Sequence, residues 1–187
     1  MTLGHRRIAF AANESDDADH ADRYRGYCEA MQESGLEPSS ELVFRIPAHR
    51  PDGAQLLRNL MSALNPPTAV YITDPSVAVG LLNETHSMRM DIPQDLSVVG
   101  FDDRDTRNYV FPKMTAVCQD AIQLGYKAFA HLARIVKSGK SESSLIKPDS
   151  TWLELNQTTG PPTVGSVRVL HDGTRLEVET SCSVENP

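Results

Sequence analysis

The chain has 187 residues, 40% of them hydrophobic and 23% charged, the make-up of one ordinary globular domain with room for a small appendage. Its net charge of -7 argues against direct binding of nucleic acid. No apolar run approaches the roughly 18 residues of a membrane span, and the start, Met1 to Arg7, lacks the apolar centre of a secretory signal peptide.

The first expected element is a buried strand, Arg7 to Ala12, followed by a polar, acid-rich connection from Asn13 to Asp22. Tyr24, Tyr27, Cys28 and Met31 then recur at helical spacing, and Gly35 supplies the stop. A second strand covers Leu42 to Ile46. A helix carrying Leu56, Leu57, Leu60, Met61 and Leu64 runs to Pro66-Pro67. Thr68 to Ile72 is a third strand, after which Asp74 reads as an N-cap with Pro75 at the first helical position. That helix carries Val77, Val79, Leu81 and Leu82 and fades around Met88, and Leu96 to Phe101 makes a fourth strand.

Strands alternating with helices imply parallel βαβ units with right-handed crossovers. Beyond them come a polar and aromatic loop from Arg104 to Lys113 and a short extended piece from Met114 to Cys118. A long helix, Gln119 to Ser138, carries Ile122, Tyr126, Phe129, Ala133 and Val136 along one stripe, with Leu124 and Leu132 beside it. Trp152 to Asn156 is a further strand, and Gly160-Pro161-Pro162 marks a boundary. Val167 to Leu170, the turn Asp172-Gly173, and Leu176 to Glu179 form a β-hairpin pattern. The fold class is therefore α/β, a parallel sheet flanked by helices with a C-terminal β-hairpin extension.

Enzyme chemistry finds little support. There is no G-x-S-x-G elbow, phosphate-binding loop or dinucleotide fingerprint, and the six histidines are scattered. Cys28, Cys118 and Cys182 are widely spaced and odd in number, which argues against a disulfide framework and fits a reducing cytoplasm. No Cys/His spacing points to zinc, and no metal or organic cofactor is implied.

The most informative stretch is Ile92-Pro93-Gln94-Asp95-Leu96-Ser97-Val98-Val99-Gly100-Phe101-Asp102-Asp103. It places two carboxylates at the C-terminal end of a buried strand, where ligands of open α/β sheets bind. The segment resembles the signature of lactose-repressor/galactose-repressor family regulators. Leu3 to Phe10 is similar to the opening of the second sensor lobe in that family, and Arg23 with Gly26 and Tyr27 resembles its first helix. Thr68 to Asp74 with Ala78 and Gly80, Met114 to Gln119 with Leu124 and Gly125, and Leu155 to Pro162 match further motifs in order, Asn156 standing where a basic residue is usual. The likeness runs from about Leu3 to Pro162.

The resemblance implies a periplasmic-binding-protein-like sensor with two α/β lobes and a small effector, a sugar or related small molecule, in the cleft between them. Residues 1–162 would be the second lobe. Within it, 114–140 would be the crossover strand and helix that pack on a first lobe absent from this chain. Residues 163–187 would be a hairpin tail with no counterpart in the family pattern. Operator DNA would be bound by an N-terminal helix-turn-helix head, also absent here, and the parent would be a cytoplasmic homodimer. On the family pattern Asp102 is the effector-binding aspartate, with Asp103 beside it; the alternative is that both acids cap the following loop through backbone N–H groups. Arg23 corresponds to the ligand-contacting arginine, or else is a solvated helix residue paired with Asp19 or Asp22. Thr73 stands where an asparagine is common and offers a shorter, one-sided hydrogen-bonding group.

An aromatic platform for a sugar ring is harder to place. The loop Pro47 to Pro51 offers only His49; Tyr109 and Phe111 are further candidates, with Phe111 read as a core residue, and Ala121 stands where relatives can present an aromatic. A stand-alone dimerisation module without ligand is the competing class. A transport-type sugar-binding protein is disfavoured by the absent signal peptide.

Overall fold

A computed structural model describes residues 3–15, 18–101, 109–139, 146–163, 166–170 and 172–178. Strand β1 (Ile8–Asn13) is followed by α1 (Ala18–Glu33), β2 (Val43–Ile46), α2 (Arg50–Ser62), β3 (Ala69–Ile72), α3 (Pro75–Ser87) and β4 (Ser97–Phe101). Then come β5 (Thr115–Gln119), α4 (Ala121–Ser138), β6 (Thr151–Glu154), β7 (Ser166–Val169) and β8 (Arg175–Val178). The sheet order is β2-β1-β3-β4-β5-β6, parallel except for β6, which runs antiparallel to β5; β7 and β8 form a separate antiparallel pair. The expected architecture is present, with element ends shifted by a residue or two.

The buried apolar runs set this order. Ala9 to Ala12 are all buried because a parallel sheet faces protein on both sides. Alternate residues divide between two cores. On one face Ala9, Ala11, Val70, Ile72 and Val98 meet Leu56, Leu57, Leu60, Leu81 and Leu82 of α2 and α3. On the other, Phe10 and Ala12 meet Tyr27 and Met31 of α1, with Phe10 centred 5.2 Å from the Tyr27 ring. Helices α2 and α3 touch at two glycines: a Cβ on Gly53 would sit 2.0 Å from the Val77 carbonyl oxygen, and one on Gly80 would sit 1.9 Å from that of Arg50. Only glycine permits backbones to come that close.

The return segment after β6 wedges between the N-terminal ends of β4 and β5. Thr158 accepts from Val98 N–H at its carbonyl and donates from its hydroxyl to the Val98 carbonyl, both at 2.7 Å, while Thr115 N–H donates to the same hydroxyl at 2.8 Å. The Gly160 carbonyl accepts from His5 Nε2 at 2.8 Å and from the Ser97 hydroxyl at 3.0 Å. The hairpin of β7 and β8 packs on the lobe. Val169 is fully buried in the α2/α3 core, and Arg175 pairs with Asp95, whose side chain is 2% exposed.

Helix α4 differs from the other helices. Asp120 caps it by accepting from Gln123 N–H at 2.9 Å, Gly139 closes it with a φ of 64°, and none of its residues is buried. Ile122, Tyr126, Phe129 and Val136 are each more than 70% exposed. No described helix is long and apolar enough to cross a membrane.

Candidate functional site

Three parallel strands, β1, β3 and β4, end side by side. Tyr71 lies opposite Val99 in the β3–β4 register, so two residues further on Thr73 and Phe101 face each other on the α1 side of the sheet. Helix α1 crosses above them. The Arg23 guanidinium carbon lies 4.0 Å from the centre of the Phe101 ring, within the range of a cation–π contact. Its Nη2 is 3.0 Å from the Asp19 carboxylate, one helical turn back, and its side chain is 22% exposed. Arg23 is thus both an intrahelical pair member and the group laid over the strand end.

Thr73 is buried; its N–H donates to the Ala11 carbonyl at 2.9 Å and its hydroxyl lies 3.5 Å from His20 Nδ1. Asp74, next along, accepts from Ser76 N–H at 2.8 Å and Val77 N–H at 3.2 Å, and so is committed to capping α3. Tyr71, below Thr73 on the same face, has its phenol pushed above its ordinary value by burial, an effect that the nearby Arg23 charge opposes. Arg25 points away and pairs with Asp22 and Glu29 at the surface.

Arg23 and Thr73 therefore meet around the end of β4. His49 lies elsewhere, at the N-cap position of α2, exposed and making no side-chain cap bond. Asp102 and Asp103 lie outside the described residues, directly after Phe101. The expectation that Phe111 belongs to the core is wrong: it is 76% exposed, and Tyr109 is 87% exposed. Its neighbour Val110 is the residue that packs against the α2/α3 core, and Phe111, next along, does not join it. The aromatic nearest the site is Phe101, read from sequence only as the end of a strand. Its alternation with Val99 on the α1 face was the available signal. His20, three residues before Arg23 and so on the same helix face, carried no signal of its own in the sequence, being one of six scattered histidines.

A planar cation resting on a ring, with a hydroxyl and an imidazole beside it, presents several hydrogen-bond donors and acceptors over an apolar floor. That arrangement suits a small polyhydroxylated or planar molecule. Among the described residues no group of three His, Cys, Asp or Glu side chains is placed to hold a metal ion.

The family model of the periplasmic binding protein-like domain matches residues 1–156. The HTH-type transcriptional repressor PurR of Mannheimia succiniciproducens is 27% identical over 148 residues, covering 78% of this chain and 44% of that protein. The structure is similar to that of a putative LacI transcriptional regulator from Bacillus cereus subsp. cytotoxis, with a TM-score of 0.80, 28% identity, and coverage of 86% of this chain and 56% of the other. It is also similar to the transcriptional regulator CelR in its cellobiose complex, with a TM-score of 0.76, 26% identity, and coverage of 84% and 48%. The chain spans about half the length of these relatives.

Proposed function

This chain belongs to the periplasmic binding protein-like domain family, its relatives being LacI-family transcriptional regulators, and from that premise we propose that it is the second lobe of the effector-sensing domain of such a regulator. Residues 1–162 form the lobe, and the crossover strand and helix within 114–140 serve the companion lobe. The effector is a small molecule, a carbohydrate before other classes, since one similar structure is a cellobiose complex. Operator DNA is bound by a helix-turn-helix domain of the parent, a cytoplasmic homodimer, and effector-driven closure of the two lobes shifts the population between operator-binding and released states. No catalytic step and no cofactor is part of this reading.

The observation that carries it is the stacking of Arg23 on Phe101 beside Thr73 at adjoining strand ends, with Asp102 next in the chain. Arg23 acts as the donor clamp, Asp102 as the acceptor of ligand hydroxyls, and Thr73 as a minor contact. Asp103 and His49 are outlying candidates. One lobe supplies half of a cleft, and small-ligand sites bury most of the ligand. Calorimetric titration of the isolated chain with hexoses, pentoses, cellobiose and purines should therefore show nothing tighter than millimolar. The same chain joined to a relative's first lobe should bind one of them at micromolar concentration. Micromolar binding by the isolated chain, or none by the joined protein, overturns the proposal. A second reading, a self-associating module without effector, is favoured by one feature: the uncovered apolar stripe of α4.

A further inference from the structure

The chain enters and leaves the lobe at the N-terminal ends of the strands, opposite the end that carries Arg23 and Thr73. A cavity of about 290 Å3 lies there, between the entry at Gly4 and Arg6, the connection from α1 to β2, and the return at Pro162 and Thr163. Its floor is Met31 and Leu42, 2% and 4% exposed. Arg7 is a fixed part of the wall: its Nη2 is 2.7 Å from the Glu41 carboxylate and its Nε donates to the Asn65 carbonyl at 2.6 Å. Three further polar side chains line the cavity uncommitted among the described residues. Arg6 and Glu37 have no ion pair or hydrogen bond, and Ser39, which precedes one turn of 3-10 helix, makes no capping bond with its hydroxyl.

We propose that this cavity binds a free α-amino acid with an apolar side chain, its carboxylate on Arg6, its ammonium on Glu37 and its side chain on Met31 and Leu42. Charge decides the class. Arg6 and Glu37 line one small cavity yet stand beyond the roughly 4 Å of an ion pair, so a molecule carrying both charges fits between them. A plain anion would meet Glu37 and a plain cation would meet Arg6, each a like charge. The Ser39 hydroxyl serves either end of the zwitterion, because it both donates and accepts. Size decides the rest. The volume sits at the lower limit of small-ligand cavities, enough for one amino acid and too little for a disaccharide. Both charged groups are open to solvent, which screens them and sets the expected Kd at about 1 mM. An occupant ties the first residues of the lobe to the last, and so stabilises the fold by mass action. The cavity shares no residue with the effector site, and the proposal stands or falls apart from that reading.

The test is titration of the full, isotope-labelled chain with L-leucine, L-valine and L-methionine, read by backbone amide shifts and by Tm. At least one of them should give saturable shifts at Gly4, Ser39 and Thr163, with a Kd of about 1 mM, and should raise Tm. The amide of the amino acid that binds best lacks the carboxylate, and its deaminated acid lacks the ammonium. Each should bind at least about threefold more weakly than the amino acid itself. Arg6→Gln and Glu37→Gln should each weaken binding by the same factor; both positions are exposed, and circular dichroism should show an unchanged fold. No saturable shift with any of the three up to about 20 mM, well above the expected Kd, overturns the proposal. So does equal binding of the amide or the deaminated acid, or of the two variants, since the paired charges then contribute nothing. Shifts centred on Thr73 and Phe101 overturn it as well, because they put the amino acid at the effector site.

Discussion

Replacing Gly80 by alanine sets two effects of opposite sign against each other. In an exposed helix the change is stabilising by about 1 kcal/mol, because alanine gives up less backbone freedom on folding. At Gly80 the added Cβ would lie 1.9 Å from the Arg50 carbonyl oxygen and 2.7 Å from its carbon. Ordinary non-bonded contact begins near 3.5 Å, so α2 and α3 must separate by about 1.5 Å. The obstacle is backbone, and no side-chain rotation relieves it. Overpacking of this kind costs about 1–3 kcal/mol. Parting the seam of Leu57, Leu60 and Leu81, all 1% exposed or less, returns on the order of 50 Å2 of apolar surface to water, roughly another 1 kcal/mol. The net expectation for Gly80→Ala is a loss of about 1–3 kcal/mol, or roughly 2–12 °C in Tm for a domain of this size. Gly26, in α1 with nothing within 4 Å of its virtual Cβ, is the internal control, and Gly26→Ala should gain about 0.5–1 kcal/mol. Urea melts followed at 222 nm decide the matter. If Gly80→Ala is as stable as the parent, α2 and α3 are not held in glycine-limited contact and the packing described for this face is wrong.

Arg175→Met removes the partner of Asp95, whose carboxylate is almost fully buried and also accepts from Asp91 N–H at 2.7 Å. A loss of about 2–3 kcal/mol in urea melts is expected, below the range for a fully buried pair because Arg175 is part-exposed, together with faster protease cleavage in the hairpin. Tyr27 and Tyr71 hold their phenols above the ordinary value, chiefly through burial. The unfolded chain thus releases these protons first, and stability should be intact below about pH 10 and fall as pH rises beyond it; absorbance near 295 nm against pH, beside melts at each pH, tests this, and phenolate appearing before any loss of stability would contradict it. Asp102→Asn in a two-lobed protein should weaken effector binding about 30- to 1000-fold, the equivalent of roughly 2–4 kcal/mol, with melts unchanged. An unaltered response with an earlier melt would make Asp102 a structural cap.

The order of strands and helices could be read because each buried run is continuous and each break carries its own chemistry: Asp74-Pro75 opens α3 and Gly139 closes α4. The bare stripe on α4 was equally legible, since the spacing of Ile122, Tyr126 and Phe129 declares a face to be covered. The site was less so. Arg23 and Thr73 were named through a resemblance, but the residue between them in space, Phe101, is 78 positions from Arg23, and no local periodicity reports a contact across that distance. Phe111 was misplaced for a related reason: an aromatic before proline gives no hint of whether a neighbouring layer exists to receive it. The α2/α3 contact was invisible because two glycines in helical windows look like defects until the partner backbone is known.

The wedge of residues 156–160 has a consequence for how the chain is made. His5 is bonded to a carbonyl 155 positions later, and the N–H and C=O of Val98 find their partners at Thr158. During synthesis from the N-terminus, β1 to β4 are complete long before these groups arrive. Until then the N-terminal gap between β4 and β5 stays unplugged, and Val98 must satisfy its polar groups with water or with a foreign strand. Closure of the lobe is therefore a late, non-local event, of the kind that slows folding and lengthens exposure to aggregation. A ribosome that stalls before Thr158 leaves a nearly finished sheet with an open seam, and the three residues from Thr158 to Gly160 decide whether the rest of the lobe stays in solution.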